Sequence, residues 1–521
     1  MDDQLDGHLD QLEALLQTAA RGLEGDLGRE QIELYDLAFS QAELLAARAI
    51  RCRGANDPTV APIADYFAAE SIVSISTRLM TRPAAFRIDR SDIPSLASID
   101  EHLSPQSIQA LGQSFCERGI PEEALEEEKR IMRDTFRQFA DEVVVPRAEE
   151  IHRNDLLIPD EILQPLREMG CFGLSVPERY GGLKPDNYED STGMVVVTEE
   201  LSRGSLGAAG SLITRPEIMA RAIMEGGTEA QKQRWLPGLA AGDPLCAISV
   251  TEPNTGSDVA SVALRATRTD GGWILNGSKT WCTFAGAAGA ILVLARTDPQ
   301  AQPPHRGLSL FVVDKPSYAG HDFEYTQDAG GKLTGRAIAT IGYRGMHSYE
   351  MFYDDFFVPS ENLIGEQAGE GKGFYYTMRG FMGGRLQTAA RACGIMRAAF
   401  EATLAYTCER QVFGQPVAHY PLSLAKIARM GANITACKEF TYEVASLMDN
   451  DQGQMEVSLV KLLACRAAEW VTREALQLHG GMGYAEESAV SRYFADARVL
   501  SIFEGAEETL AIRVIGKALV G

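Results

Sequence analysis

Positive charge, cysteine motifs and long apolar runs are all scarce in this chain. It carries 49 Lys plus Arg against 72 Asp plus Glu, a formal net charge of −23. A surface that acidic repels phosphate backbones, so nucleic acid is not expected as a partner. A small anionic ligand is not excluded, because a few local arginines outweigh a distant field at short range. No apolar run approaches the roughly 20 residues of a membrane span, so no membrane partner is expected. The opening stretch, "MDDQLDGHLDQLEALL", is acidic and amphipathic. A secretory signal would begin basic and turn apolar, and a mitochondrial presequence would be rich in Arg and poor in acids. The expected location is therefore cytoplasmic. The nine cysteines form no Cys-x-x-Cys and no cluster with His. Reduced, buried thiols are expected, with neither a disulfide frame nor a metal site.

What the chain does have is length and periodicity. Its 521 residues exceed what one compact core needs, and 45% of them are apolar, so several domains are expected. Residues 1–121 read as helical: "REQIELYDLAFSQAELLAARAIRC" and "VAPIADYFAAESIVSISTRLM" carry apolar residues at three- and four-residue spacing. No catalytic cluster falls there, and a structural helical appendage is the plain reading. Helical pattern resumes over 122–240, from "EEALEEEKRIMRDTFRQFADEVVVPRAEEI" to "KQRWLPGLAAG". Over 241–365 the period shortens. "GWILNGSKTW", "GAILVLART", "LSLFVVDK" and "YEMFYDDFFVP" are β-prone, with turn signals "TDGG" and "LNGS" around the first. Long helices return over 366–521. The fold class is mainly α with a central β domain, α+β, with an extra helical segment in front.

"GEGKGF", residues 369–374, resembles a nucleotide loop only superficially. Lys372 is followed by Gly373, where a phosphate-binding loop needs Ser or Thr. In "CAISVTEPNTGSDVAS", Ser249, Thr251 and Ser257 offer hydroxyls, and Gly256 lets a ligand approach the backbone. In "SKTWCTFAG", Trp281 and Thr283 are two apart on an expected strand, so both face one side: a flat indole wall beside a hydroxyl. Taken singly, a polar turn and a half-buried Trp explain these stretches as well. "LQLHGGMGYAEE" closes a helix with Gly480 and Gly481, a C-cap on its own terms. "ERQVFG" sets Arg410 and Phe413 at a helix end, where an Arg either bonds a pyrophosphate or caps the helix. In "LSIFEGAEETLAIRV", Glu504 follows an apolar run and precedes Gly505. That stretch is either a surface turn or a carboxylate kept from water.

In order, "FGLSVPERYGG", "VTEPNTGSD", "GSKTWCT", "ERQVFG" and "LQLHGGMGY…IFEGAEE" resemble the acyl-CoA dehydrogenases from about residue 122 to the end. The resemblance implies an N-terminal helical domain, a middle β-barrel or sandwich domain and a C-terminal four-helix bundle. It implies FAD as cofactor, an acyl-CoA thioester as substrate and electron-transferring flavoprotein as acceptor. Ser249, Thr251 and neighbouring backbone would meet the flavin, with Trp281 and Thr283 against its ring. Ser257 would meet the pantetheine–phosphate part of CoA, and Arg385 would also contact the CoA moiety. Arg410, Phe413, Gln477, Gly480 and Gly481 would reach the FAD of a neighbouring subunit, which implies a homo-oligomer, dimer or tetramer. The front segment, able to block one subunit face, favours a dimer.

The same resemblance makes Glu504 the base for the α-proton, with Gly505 turning the backbone so that the carboxylate faces the thioester. Burial disfavours a carboxylate's charged form and makes it a better proton acceptor. Some relatives carry the base on the helix near Arg385, where this chain has Gly383 and Gly384. Ala506 and Glu508 stand where many relatives have Thr and Gln, so the loop's contacts to FAD differ. The front segment and the insertion "SYAGHDFEYTQDAGGKLTGRAIATIGYRGM" resemble a branch acting on a short acyl group that ends in a carboxylate. Arg215, with Thr214, would pair with that carboxylate; a surface arginine before a proline is the other reading. A glutaryl-type enzyme, an acyl-CoA oxidase and a catalytically silent assembly protein are the alternatives.

Overall fold

The structure, a computed structural model, describes residues 2–521, with the side chain of Ser98 left aside. Two compact units share the chain. Residues up to 135, 195–203 and 388–521 form one; residues 136–194 and 204–387 form the other. Among the described residues no helix is long and apolar enough to cross a membrane.

The second unit is built on a sheet of eight strands: β1 (Cys246–Ser249), β2 (Arg265–Thr269), β3 (Gly272–Thr283), β4 (Ala290–Arg296), β5 (Leu308–Asp314), β6 (Asp322–Thr326), β7 (Lys332–Ala337) and β8 (Ser348–Pro359). Their order is β1-β4-β2-β3-β8-β7-β6, with β5 beside β4. The apolar run in β4 is buried on both faces. Ile291 and Val293 pack with Trp273, Leu275 and Phe311 on one side. Leu292 and Leu294 pack with Met219, Ile223 and Leu236 of the helices Thr214–Gly226 and Glu229–Ala241 on the other. A two-sided strand has no polar face to show, which is why this run lacks alternation.

The two turn signals part ways. "TDGG" is the hairpin turn expected, with Thr269 opposite Gly272. "LNGS" is not a turn: it lies inside β3, where the pairing with β8 slips between Leu275 and Gly277. Gly277 has φ +136°, a backbone only glycine takes easily, so the residue serves a β-bulge. The insertion supplies the β6–β7 hairpin at the sheet edge.

In the first unit the front segment folds as the helices Asp3–Gly22, Gln31–Asn56, Ala61–Thr81 and Pro105–Arg118. Asp2 caps the first, accepting from the Gln4 N–H at 2.9 Å. Leu5, Leu9, Leu12 and Leu16 are buried along its inner face, each contributing about 1.5 to 3 kcal/mol. The segment shares a core with the bundle helices Pro421–Asp449 and Glu456–His479. A Cβ on Gly112 would stand 2.3 Å from the Leu424 carbonyl oxygen, and one on Gly431 2.5 Å from the Phe115 ring. Glycine lets Gly112 meet the Leu424 backbone and Gly431 the Phe115 ring, so the front segment is built into the bundle.

Candidate active site

In the second unit, a buried ion pair holds the polar loop after β1 against β3. Lys279 is fully buried and donates to Glu252 at 2.9 Å and to the Val250 carbonyl at 2.8 Å. Glu252 also accepts from the Ala263 and Leu264 N–H groups, each at 2.8 Å. Burial pulls the Lys279 ammonium down to about 8, although Glu252 opposes the fall. The Thr280 N–H then bonds the Thr251 carbonyl at 2.9 Å. The two motifs are thereby locked together, with Thr251 half-buried and Ser257 exposed on the loop.

Trp281 follows at once, its indole 55% exposed and its φ at +57°. A bulky residue in that region is strained and persists only where its surroundings impose it. The strand alternation expected for Trp281 and Thr283 does not apply here: pairing with β8 slips between Lys279 and Cys282. Thr283 is buried, its hydroxyl 2.9 Å from that of Ser348. Ser249 is wholly buried, its hydroxyl accepting from the Cys282 thiol at 3.2 Å, so it supports the wall from behind.

Arg215 is buried, not on the surface. It donates to the Ser211 carbonyl at 2.8 Å and to the Tyr343 hydroxyl at 3.1 Å. Among the described residues no carboxylate pairs with it. Thr214 beside it is buried and bonds Gln387 at 2.7 Å. The nearby carboxylate of Glu217 is taken by Arg221 at 2.8 Å and by Gln387. At Gly383 a Cβ would lie 2.2 Å from that Glu217 carboxylate, so a side chain there would have to displace it. Arg385 sits half-buried two residues on, on the helix Gly373–Glu409.

In the first unit, Glu504 lies between the turn Arg498–Ser501 and the short helix Glu507–Thr509. Its φ is +55° and that of Gly505 is +101°. Two successive left-handed residues make the sharp turn expected, and a Cβ on Gly505 would also press on Leu510 at 2.8 Å. Carboxylate oxygen Oε2 of Glu504 is buried with no hydrogen-bond partner among the described residues. A carboxylate oxygen left so is costly unless something arrives to use it. The apolar run before it is only partly buried: Leu500 is inside, but Ile502 is 54% exposed.

Four side chains fix this loop. Lys461 donates to the Gly505 carbonyl at 2.7 Å. Arg391, fully buried, lies 4.7 Å over the Phe503 ring. Arg466 and Tyr35 both bond Glu507. None of these had a role in the sequence reading, nor did Glu252 and Lys279. The last two left a signal, since each is a charge set inside a motif that packs on apolar strands. Tyr35 left none.

Arg410, Phe413, Gln477, Gly480 and Gly481 lie in the same unit. Phe413 (φ +50°) tips an exposed hairpin, Gln411–Val412 with Gln415–Pro416, next to Arg410. Tyr406 stacks on His479 at 4.4 Å, tying that hairpin's stem to the turn carrying Gln477, Gly480 and Gly481. Phe413 is 96% exposed and Tyr484 86%, and a Cβ at Gly480 or Gly481 would meet open space. Glu508 is exposed.

Comparison with known proteins places this arrangement. Family profiles for the N-terminal, middle and C-terminal domains of acyl-CoA dehydrogenase match residues 126–243, 247–356 and 371–520. The chain is 44% identical over 399 residues to (2S)-methylsuccinyl-CoA dehydrogenase of Cereibacter sphaeroides, covering 76% of this chain and 70% of that one. Butyryl-CoA dehydrogenase of Megasphaera elsdenii superposes with a TM-score of 0.69 at 30% identity, over 77% of this chain and all of the other. A Mycobacterium smegmatis glutaryl-CoA dehydrogenase solved with FADH2 does so with a TM-score of 0.66 at 27% identity, over 76% of this chain and 95% of the other.

Proposed function

Because the chain belongs to the acyl-CoA dehydrogenase family, and so dehydrogenates acyl-CoA thioesters, we propose that its substrate is (2S)-methylsuccinyl-CoA and its product mesaconyl-CoA. Glu504 is the base. The observation that carries this reading is its buried, unbonded Oε2, an acceptor that the fold leaves unused. The α-proton of the thioester passes to that oxygen. The backbone N–H of Glu504 donates to no described residue and is available to the thioester carbonyl as charge develops there. Lys461, Arg391 and Arg466 hold the loop so that neither group has to reorganise.

Residues of the second unit fit FAD: an exposed indole on strained backbone, and a polar loop clamped by a buried ion pair. When bound, FAD accepts the β-hydrogen as hydride, so that the α,β double bond forms as both hydrogens leave. Trp281 would orient the ring, with Thr283 holding the strand behind it through Ser348; Thr251 and the adjoining backbone would take its polar edge, and Arg385 and Ser257 would meet CoA. Arg215 supports the substrate choice. It is a buried guanidinium without an acid of its own, and the distal carboxylate of a methylsuccinyl group supplies one. Arg410, Phe413, Gln477 and Gly480–Gly481 would meet the FAD of a second copy in a homo-oligomer, the front segment favours a dimer, and electron-transferring flavoprotein would receive the electrons.

A panel of methylsuccinyl-, glutaryl-, isobutyryl- and butyryl-CoA with an artificial electron acceptor tests the proposal. The expected order puts methylsuccinyl-CoA first by at least about tenfold in kcat/KM. A preference for glutaryl-CoA would keep Arg215 in its role and replace the substrate. Peroxide as the main reduced product would make the enzyme an oxidase.

A further inference from the structure

The insertion brings a histidine to a place where two other metal-ligating side chains already stand. Asp155 (φ +53°) follows the helix Val145–Arg153, and His321 and His347 immediately precede β6 and β8. One ligand atom from each lies within 4.8 Å of the other two. His347 Nε2 is 3.1 Å from Asp155 Oδ1, and the two imidazole rings are 4.4 Å apart. We propose that Asp155, His321 and His347 bind one divalent ion of the zinc class. The site does not depend on the choice of acyl group.

The donor set names the metal. Two imidazoles and one carboxylate suit Zn2+ and its neighbours Co2+ and Ni2+; Mg2+ and Ca2+ take oxygen ligands. Ligands about 2.0 to 2.1 Å from a tetrahedral ion lie roughly 3.3 Å from one another. The Asp155–His347 pair is already at that edge length. His321, exposed at the surface, is free to rotate through the remaining gap. His347 is the fixed member: it is buried, and its carbonyl accepts from the Phe284 N–H at 2.7 Å. Its Nδ1 is buried with no hydrogen-bond partner of good geometry among the described residues. Water completes the shell from the exposed side.

One neighbour opposes the ion. Arg344 lies 3.5 Å from Asp155 Oδ1. Its guanidinium hydrogens go to the carbonyls of Thr340 and His152 at 3.2 and 2.8 Å, so it flanks the carboxylate without neutralising it alone. Its charge weakens the binding of a cation. A bound ion would clip the inserted hairpin to β8 and to the loop after the helix Val145–Arg153. Ser348, next to His347, bonds Thr283, so the clip would end at the wall formed with Trp281.

Chelator-stripped holoenzyme dialysed against about 10 µM Zn2+ tests the site by metal content per chain. About one equivalent is expected, unaffected by excess Mg2+. His321→Ala, a surface change, should weaken binding at least about tenfold, and Asp155→Asn should weaken it too. Added Zn2+ should raise Tm in the parent and not in His321→Ala. Less than about a third of an equivalent in the parent, or undiminished binding in His321→Ala, overturns the proposal.

Discussion

Tyr35 donates its hydroxyl hydrogen to the carboxylate of Glu507, across 472 positions of sequence. Glu507 begins the short helix three residues after Glu504. Arg466 bonds both partners and lies 4.2 Å over the Phe39 ring. The front segment therefore braces the loop that carries Glu504. Burial, with Glu507 adding to it, pushes the Tyr35 hydroxyl up to about 12, so it stays a donor throughout the working pH range.

Tyr35→Phe removes that brace and little else. A hydrogen bond to a charged group is worth about 1.5 to 3 kcal/mol before solvent screening, and this partly exposed one falls below that. We expect kcat to fall about threefold to tenfold, with KM for the thioester nearly unchanged. Steady-state kinetics against the parent checks this; an unchanged kcat means the loop holds without the front segment.

Glu504→Gln keeps the shape of the loop and removes the acceptor. General-base catalysis contributes about 100- to 10,000-fold, and the rate of flavin bleaching by the preferred thioester should drop by that much. Flavin content should not change. Stopped-flow absorbance reads both, and bleaching at the parental rate would remove Glu504 from the mechanism.

Arg215→Ala should act on one class of substrate only. Breaking a buried charge pair costs about 3 to 5 kcal/mol, roughly 150- to 5,000-fold in kcat/KM for methylsuccinyl-CoA. Turnover of isobutyryl-CoA, which lacks the carboxylate, should change by less than about threefold. Equal losses on both substrates would mean that Arg215 matters only through its bonds to Ser211 and Tyr343.

Lys279 predicts a pH dependence. It releases its proton at about 8 when folded, against 10.5 for an unshifted lysine. Between those values the unfolded chain binds more protons, so this group makes stability rise with pH and lowers it by about 3 kcal/mol below pH 8. The double variant Lys279→Met with Glu252→Gln removes the ion pair without stranding a charge. Urea midpoints from pH 7 to 10 should rise in the parent relative to the variant. Parallel profiles would refute the shift.

Periodicity and ordered motifs made much of this protein legible in one dimension. A 3.6-residue apolar repeat and short β-prone runs depend on neighbours in the chain, so helices and sheet could be read directly, while the ordered motifs carried the family resemblance and singled out Glu504 before Gly505. Where a strand bulges the reading failed, because "LNGS" is written the same way in a turn and in β3, and Trp281 and Thr283 do not alternate across a slipped register. Only tertiary structure put Arg215 out of water without an acid, set Lys279 on Glu252, joined Tyr35 to Glu507 and brought His347 to Asp155 from 192 positions away. Such meetings are set by packing between distant segments, and no local spacing records them.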